Sequence, residues 1–154
     1  MGEQSCELPL SNVSEREIDE ILSSAKTIAV VGLSEKADRE SHLVARYLQA
    51  NGYRIIPVNP AVAEVLGERS YPDLASIPPE IAIDVVDIFR KPEFIPAVVD
   101  AAIPRGARAV WMQLGLVHNA AAKKARAAGL EVVMDRCMKV EHARWAAHRR
   151  GGRP

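Results

Sequence analysis

Five short apolar runs, rich in β-branched residues and largely free of polar alternation, punctuate the chain: Thr27–Val31, Arg54–Val58, Ile81–Ile88, Ala109–Gln113 and Leu130–Met134. Strands covered on both faces read this way, because neither row of side chains meets water. Between the runs the apolar period lengthens to that of a helix. Ser41 is placed to cap a helix whose Leu43, Val44, Tyr47 and Leu48 form one stripe, stopped by Asn51-Gly52. Pro92 suits a first helical turn, and Val98, Val99, Ala102 and Ile103 follow before Pro104 and Gly106. Asn119 is the expected cap of an alanine-rich helix reaching Ala128, with Gly129 just past its end. Ser14 and Glu17 have capping-box spacing at the head of an acidic helix over 14–25, and 138–149 reads as the last helix. The segment from Ala61 to Ser76 predicts a loop with one short helical turn.

Strand and helix patterns in alternation predict an α/β fold: a Rossmann-like, doubly wound, five-stranded parallel sheet with helices on both faces. Right-handed crossovers give an expected strand order of 3-2-1-4-5. Ligands on such sheets bind at the carboxyl ends of the strands, here near a switch point expected between the first and fourth runs. The predicted organisation is an N-terminal extension over 1–13, a single domain over 14–149 and a tail over 150–154.

Composition narrows the function classes. The chain has 154 residues, 48% of them apolar and 26% charged, close to ordinary globular averages. Disorder, a collagen-like repeat and a disulfide scaffold are excluded as descriptions of the whole. Lys and Arg total 20, as do Asp and Glu, so no global field recruits nucleic acid or an anionic membrane. No apolar stretch approaches the roughly 18 residues of a membrane span, and the N-terminus lacks the basic-then-apolar order of a secretory signal. Cys6 and Cys137 fit no metal or disulfide spacing and read as reduced thiols in a cytoplasmic protein. Charge is uneven, however. Residues 1–26 hold six acids against Arg16 and Lys26, and residues 136–154 hold six bases against Glu141. The two ends can attract each other, weakly if exposed.

The strand ends carry the candidate chemistry. After the first run, Gly32 leaves room for a phosphate to approach the backbone ahead of a helix N-terminus, with Ser34, Ser41, Arg39 and Lys36 nearby as donors and charge. The dinucleotide fingerprint is broken: Ser34 and Ala37 stand where its later glycines belong. The second run ends in Val58-Asn59-Pro60 with no acid for a ribose hydroxyl, which disfavours a conventional NAD dehydrogenase. Phe89 offers a ring to a base, and Arg90 and Lys91 offer charge to phosphate. Asp84 and Asp87 read as structural, bonding loop backbone. Gln113 can bond a polar ligand, and Trp111 reads as core. Cys137 reads as a small residue lining a pocket, because His142, five positions on, lies about 140° around a helix from it. The other histidines are scattered without ligand spacing.

Several segments together resemble the stand-alone CoA-binding domain family, which is similar to the N-terminal CoA-binding domain of the succinyl-CoA synthetase alpha subunit. They are VVGLSEKADRESHLVARYL from residue 30, GYRIIPVNP from 52, GERSYPDL from 67, IDVVDIFRKPE from 83, AVWMQLGL from 109 and GLEVVMDRCMKVEH from 129. The resemblance spans about residues 14–143. It implies that Gly32, Ser34, Arg39 and Ser41 would meet phosphate, with Leu33 among the ligand-binding residues of the same loop, and that Val58, Asn59 and Pro60 would line a nucleotide site flanked by Phe89, Arg90 and Pro92. Gln113, Leu114, Gly115 and Cys137 would border the pantetheine path. The second domain with its phosphate-carrying histidine, and the separate nucleotide-binding subunit of the synthetases, are both missing from this chain. The function expected is therefore non-enzymatic binding of coenzyme A or an acyl-CoA, as a sensor or carrier. Three other readings stay open: a small acyl-CoA-using enzyme, a nicotinamide-linked enzyme, and a module of a synthetase-like complex. A homodimer or an unknown protein partner is also open, since the alanines at 120–128 suit close packing between chains as well as packing on the sheet.

Overall fold

A computed structural model describes residues 7–151; Cys6 lies outside them. The elements run α1 (Glu15–Ser24), β1 (Thr27–Val31), α2 (Glu40–Ala50), β2 (Arg54–Val58), β3 (Glu64–Val65), β4 (Glu68–Arg69), β5 (Val85–Ile88), α3 (Ile95–Ala102), β6 (Ala109–Met112), α4 (Asn119–Ala127), β7 (Glu131–Val133) and α5 (Met138–Gly151). Short 3₁₀ turns at Leu74–Ser76, Pro92–Phe94 and Ile103–Arg105 complete the order.

The large sheet is parallel throughout, in the order β2-β1-β5-β6-β7. This is the Rossmann-like α/β architecture expected, but one strand lies elsewhere. Counted within this sheet the order is 2-1-3-4-5, not 3-2-1-4-5, because β5 pairs with β1 from Ile28↔Val85 to Val31↔Ile88. The switch point accordingly falls between the first and third strands. Pro57 supplies the reason. Proline has no N–H to give a ladder, so it belongs on an edge. Its strand, β2, is the edge, and its carbonyl accepts the Tyr71 N–H at 3.0 Å on the side away from β1. The all-buried run of β5 takes the interior instead. The return crossover is held by Arg105, whose guanidinium donates to the carbonyls of Leu74, Ile77, Pro78 and Ile81.

Alternation along the strands sorts two apolar layers. Ile28, Val30, Ile55, Val85, Trp111 and Val133 pack with α1, α2 and α5. Ala29, Val31, Ile56, Val86, Met112 and Val132 pack with α3 and α4. Each fully buried branched side chain adds about 1.5–3 kcal/mol relative to exposure. Trp111 is core as expected, its indole N–H donating to Arg136 O at 2.8 Å. The alanines of α4 that are buried, Ala121, Ala122 and Ala125, face this domain's own sheet layer.

Local signals were met unevenly. The Ser14–Glu17 capping box is formed. Ser41 does not cap α2; the N-cap is Arg39, in extended conformation, and Ser41 lies inside the first turn because its Oγ is drawn to the Ser34 N–H. His118, not Asn119, caps α4, its Nδ1 accepting the Ala121 N–H at 3.1 Å. Asn119 is taken up instead by the N-terminal arm, contacting Glu7, Leu8 and Leu10. Within the segment predicted as a loop, β3 and β4 form a hairpin turned by Leu66 (φ 56°) and Gly67 (φ 76°). The opposed terminal charges do meet: Arg144 of α5 lies 2.7 Å from Asp19 and 3.4 Å from Glu15 of α1. No helix is long and apolar enough to cross a membrane among the described residues.

Candidate ligand-binding site

The carboxyl edge is built around the β1–β5 switch. Gly32 has φ +90°, and a Cβ there would lie 2.9 Å from Phe89 O and 3.1 Å from Arg90 Cδ. Glycine is thus required twice, for the left-handed backbone and for the close approach. Its N–H donates to Val58 O at 2.8 Å, while Phe89 N–H donates to Val31 O at 2.9 Å. These bonds lace three strand ends into one platform.

The loop from Gly32 to α2 is held from within. Ser34 N–H donates to Ser41 Oγ (2.9 Å), Lys36 N–H donates to Ser34 Oγ (3.1 Å), and the His42 Nδ1–H donates to Ser34 O (2.9 Å). Leu33 is fully buried, so its side chain belongs to the core rather than to a ligand. Arg39 is exposed and makes no side-chain bond to the helix start. That leaves first-turn N–H groups of α2 for another acceptor.

Asn59 is a brace. Its Nδ2 donates to Leu33 O (2.9 Å), its Oδ1 accepts the Ala61 N–H (2.8 Å), and its backbone bonds Tyr71 and Ser70. Both ends of the amide are spent within the protein. Across the edge, Gln113 is 3% exposed and its Oε1 accepts the Met138 N–H at 3.1 Å, capping α5. Gly115 (φ +86°) donates its N–H to Asp135 Oδ1 at 2.7 Å, and Asp135 is itself left-handed at φ 60°. Cys137 is 8% exposed, behind that turn.

Three cavities follow this edge in series. The first, about 180 Å³, lies between Val58, Pro60, Leu74, Phe94 and Arg90. The second, about 400 Å³, runs along Arg90, Phe89, Pro92, Gln113 and Leu114. The third, also about 400 Å³, lies against Leu114, Cys137, Val140 and the arm residues Pro9 and Asn12. Arg90 is common to the first two and Leu114 to the last two. The Arg90 guanidinium stacks on the Phe94 ring, 4.2 Å from its centroid, which holds a cation at the junction without neutralising it.

The sequence residues are brought together with some changes of role. Val58, Pro60, Phe89, Arg90, Pro92, Gln113, Leu114 and Cys137 line the cavities. Gly32, Ser34, Ser41, Asn59 and Gly115 shape the edge through backbone and bracing bonds. Phe94 and Leu74, and the arm residues Pro9 and Asn12, were not foreseen. Phe94 lies four positions after Arg90, at the end of the Pro92–Phe94 turn, and an aromatic so close to the strand end could be read from the sequence; the arm residues carry no local signal, because a fold contact brings them there. Asp84 bonds backbone as expected, accepting from the N–H groups of Lys26 and Thr27 at 2.9 Å each. Asp87 does not. It is fully buried with neither oxygen partnered among the described residues, since it lies within the strand, between Val30 and Trp111 in register, where all backbone is already in the ladder. Burial pushes its carboxyl well above the usual range.

Comparison with known proteins now decides the family. The model of the CoA binding domain matches residues 26–143. The chain belongs to the CoA-binding domain family. Among relatives, the uncharacterized protein YneT of Bacillus subtilis strain 168 is 43% identical over 134 residues, covering 87% of this chain and 98% of that one. A hypothetical protein from Pyrococcus horikoshii OT3 superposes with a TM-score of 0.84 at 42% identity, covering 91% of this chain and 97% of its own. A Thermus thermophilus protein does so at 0.81 and 36%, covering 86% and 99%. This CoA-binding domain therefore spans nearly the whole length of its relatives. The family's match runs through the platform, the loop and all three strand ends described above.

Proposed function

We propose that the protein binds coenzyme A or a CoA thioester non-enzymatically, along the three cavities of the carboxyl edge. The observation that carries this is their succession along the edge at the switch point, Arg90 lining the first two and Leu114 the last two, with the Arg90 cation at the first junction. A long ligand with a base at one end, phosphates within and a flexible arm beyond matches that series in chemistry. The base would lie against Val58, Pro60 and Leu74, where apolar walls favour a planar ring. The phosphates would meet Arg90, Lys91, Arg39 and the first turn of α2, where charge-assisted bonds and the helix dipole act together. The pantetheine amides would run past Phe89 and Gln113, whose Nε2 is free to donate because Oε1 serves Met138. A sensor or carrier role follows from binding without turnover. The nearby thiol supports that reading: Cys137 is almost buried, and the neighbouring His142 is bonded to Tyr47 Oη at 2.8 Å instead of facing it as a base.

Thermal unfolding with CoA, 3′-dephospho-CoA, acetyl-CoA and NAD in parallel tests this. Ligand at about 100 times its dissociation constant adds roughly 2.7 kcal/mol, about 5–10 °C for a chain this size. A rise with the CoA species and none with NAD is the expected result. A rise with NAD alone would overturn it in favour of the nicotinamide reading. Turnover of acetyl-CoA that Cys137→Ala abolishes would establish the thiol-enzyme reading instead.

A further inference from the structure

Resting on the CoA reading above, we propose that the third cavity receives the acyl group of a CoA thioester and selects short, uncharged acyl chains. A ligand lying from Arg90 past Gln113 reaches the third cavity at Leu114, the residue both spaces share. Leu114 is 70% exposed and Val140 is 59% exposed. Two large apolar side chains at the rim of one hollow mark a surface that an apolar group covers.

Charge sets the second half of the selection. The wall holds the carboxylates of Asp135 and Glu141 against one guanidinium, Arg136. Arg136 already faces Glu141 at 3.8 Å, and Glu141 also accepts from Arg144 at 3.2 Å. A carboxylate on the acyl group would find the Asp135 carboxylate, with no guanidinium on it among the described residues, and in Arg136 a cation already facing Glu141, so dicarboxylic thioesters are disfavoured. Length is limited by the N-terminal arm, whose Pro9 and Asn12 form one wall of the hollow. Asn12 clamps the Met134 backbone from both sides, donating Nδ2–H to its carbonyl (2.9 Å) and accepting its N–H at Oδ1 (3.1 Å). Arg126 adds a bond to Ser11 O at 3.0 Å. At about 400 Å³ the hollow is near the small end of ligand sites, which run from about 300 to 1,000 Å³.

Calorimetric titration of the full chain with CoA, acetyl-, butyryl-, hexanoyl-, dodecanoyl- and succinyl-CoA tests the proposal. Affinity should climb two- to fourfold per buried methylene from acetyl to the short chains, by about the free energy of burying a CH₂, then fall for dodecanoyl. Succinyl-CoA should bind at least about tenfold more weakly than butyryl-CoA. Val140→Trp, at an exposed helix position, should bring the butyryl-to-CoA affinity ratio down to about one, and Asn12→Ala should relax the length limit. Equal affinity for CoA and every thioester, or preference for succinyl-CoA, would overturn the acyl pocket while leaving CoA binding intact. No binding of any of the six would overturn the CoA reading itself.

Discussion

The two edges of the sheet are built on opposite plans. At the amino edge, charged side chains are spent on the protein. Asp84 ties down the start of β1, and Arg108 bonds Glu131 at 2.8 Å and Ser24 at 2.7 Å. At the carboxyl edge Arg90 rests on a ring, with no carboxylate paired to it among the described residues, and Asp135 is held left-handed without being a glycine, whereas the left-handed positions ahead of β2, β6 and β7, Gly52, Gly106 and Gly129, are all glycines. Three residues apart, Asp84 accepts from two N–H groups, whereas Asp87, buried inside β5, has no side-chain partner among the described residues. On this account stability is concentrated at the amino edge, where side chains close on one another, and the proposed binding at the carboxyl edge, where an unpaired cation is tolerated.

Substitutions at the two edges should therefore separate binding from stability. The largest effect is expected of Gly32→Val. A β-branched residue at φ +90°, with its Cβ 2.9 Å from a carbonyl oxygen, should cost about 3 kcal/mol or more and abolish CoA binding, read by denaturant unfolding and titration. Arg90→Ala should keep the fold and weaken CoA by roughly 10- to 100-fold, the size of a lost charge-assisted contact.

Asp87→Asn sharpens the contrast through pH. The folded carboxyl stays protonated above the unfolded value of about 3.9, so the folded state holds a proton that the unfolded chain releases. Stability from this group falls as pH rises from about 4 toward the raised folded value. The variant should flatten that slope and melt above wild type at pH 8, the gap widening as pH rises from 4. An identical slope in both proteins would show that Asp87 is not the titrating group. Asp84→Ala should cost about 1–3 kcal/mol of stability and leave CoA affinity unchanged. Ser14→Ala, at the capping box of α1, should cost about 1 kcal/mol and likewise spare binding.

Most of the fold was legible because burial on two faces writes itself into continuous apolar runs, and the strand ends then pointed to the candidate residues that line the three cavities. What was lost has physical causes. Pro57 marked β2 as an edge, yet counting crossovers without asking which strand tolerates a proline misplaced β5. Capping signals at Ser41 and Asn119 were real hydrogen-bonding capacity, diverted by tertiary partners, Ser34 in one case and Glu7 in the other. The hairpin at Glu64–Arg69 has two-residue strands, too short for any period. The bracing of Asn59 and the place of Pro9 and Asn12 in the wall of the third cavity depend on contacts between distant parts of the chain, which no local pattern encodes.

Backbone amide shifts recorded on titration with CoA test the central claim most directly. The account expects changes confined to residues 32–41, 58–60, 89–94, 113–115 and 134–140, with Lys26, Asp84 and Arg108 at the amino edge unmoved. Changes centred on the amino edge, with Gly32 and Arg90 silent, would contradict it.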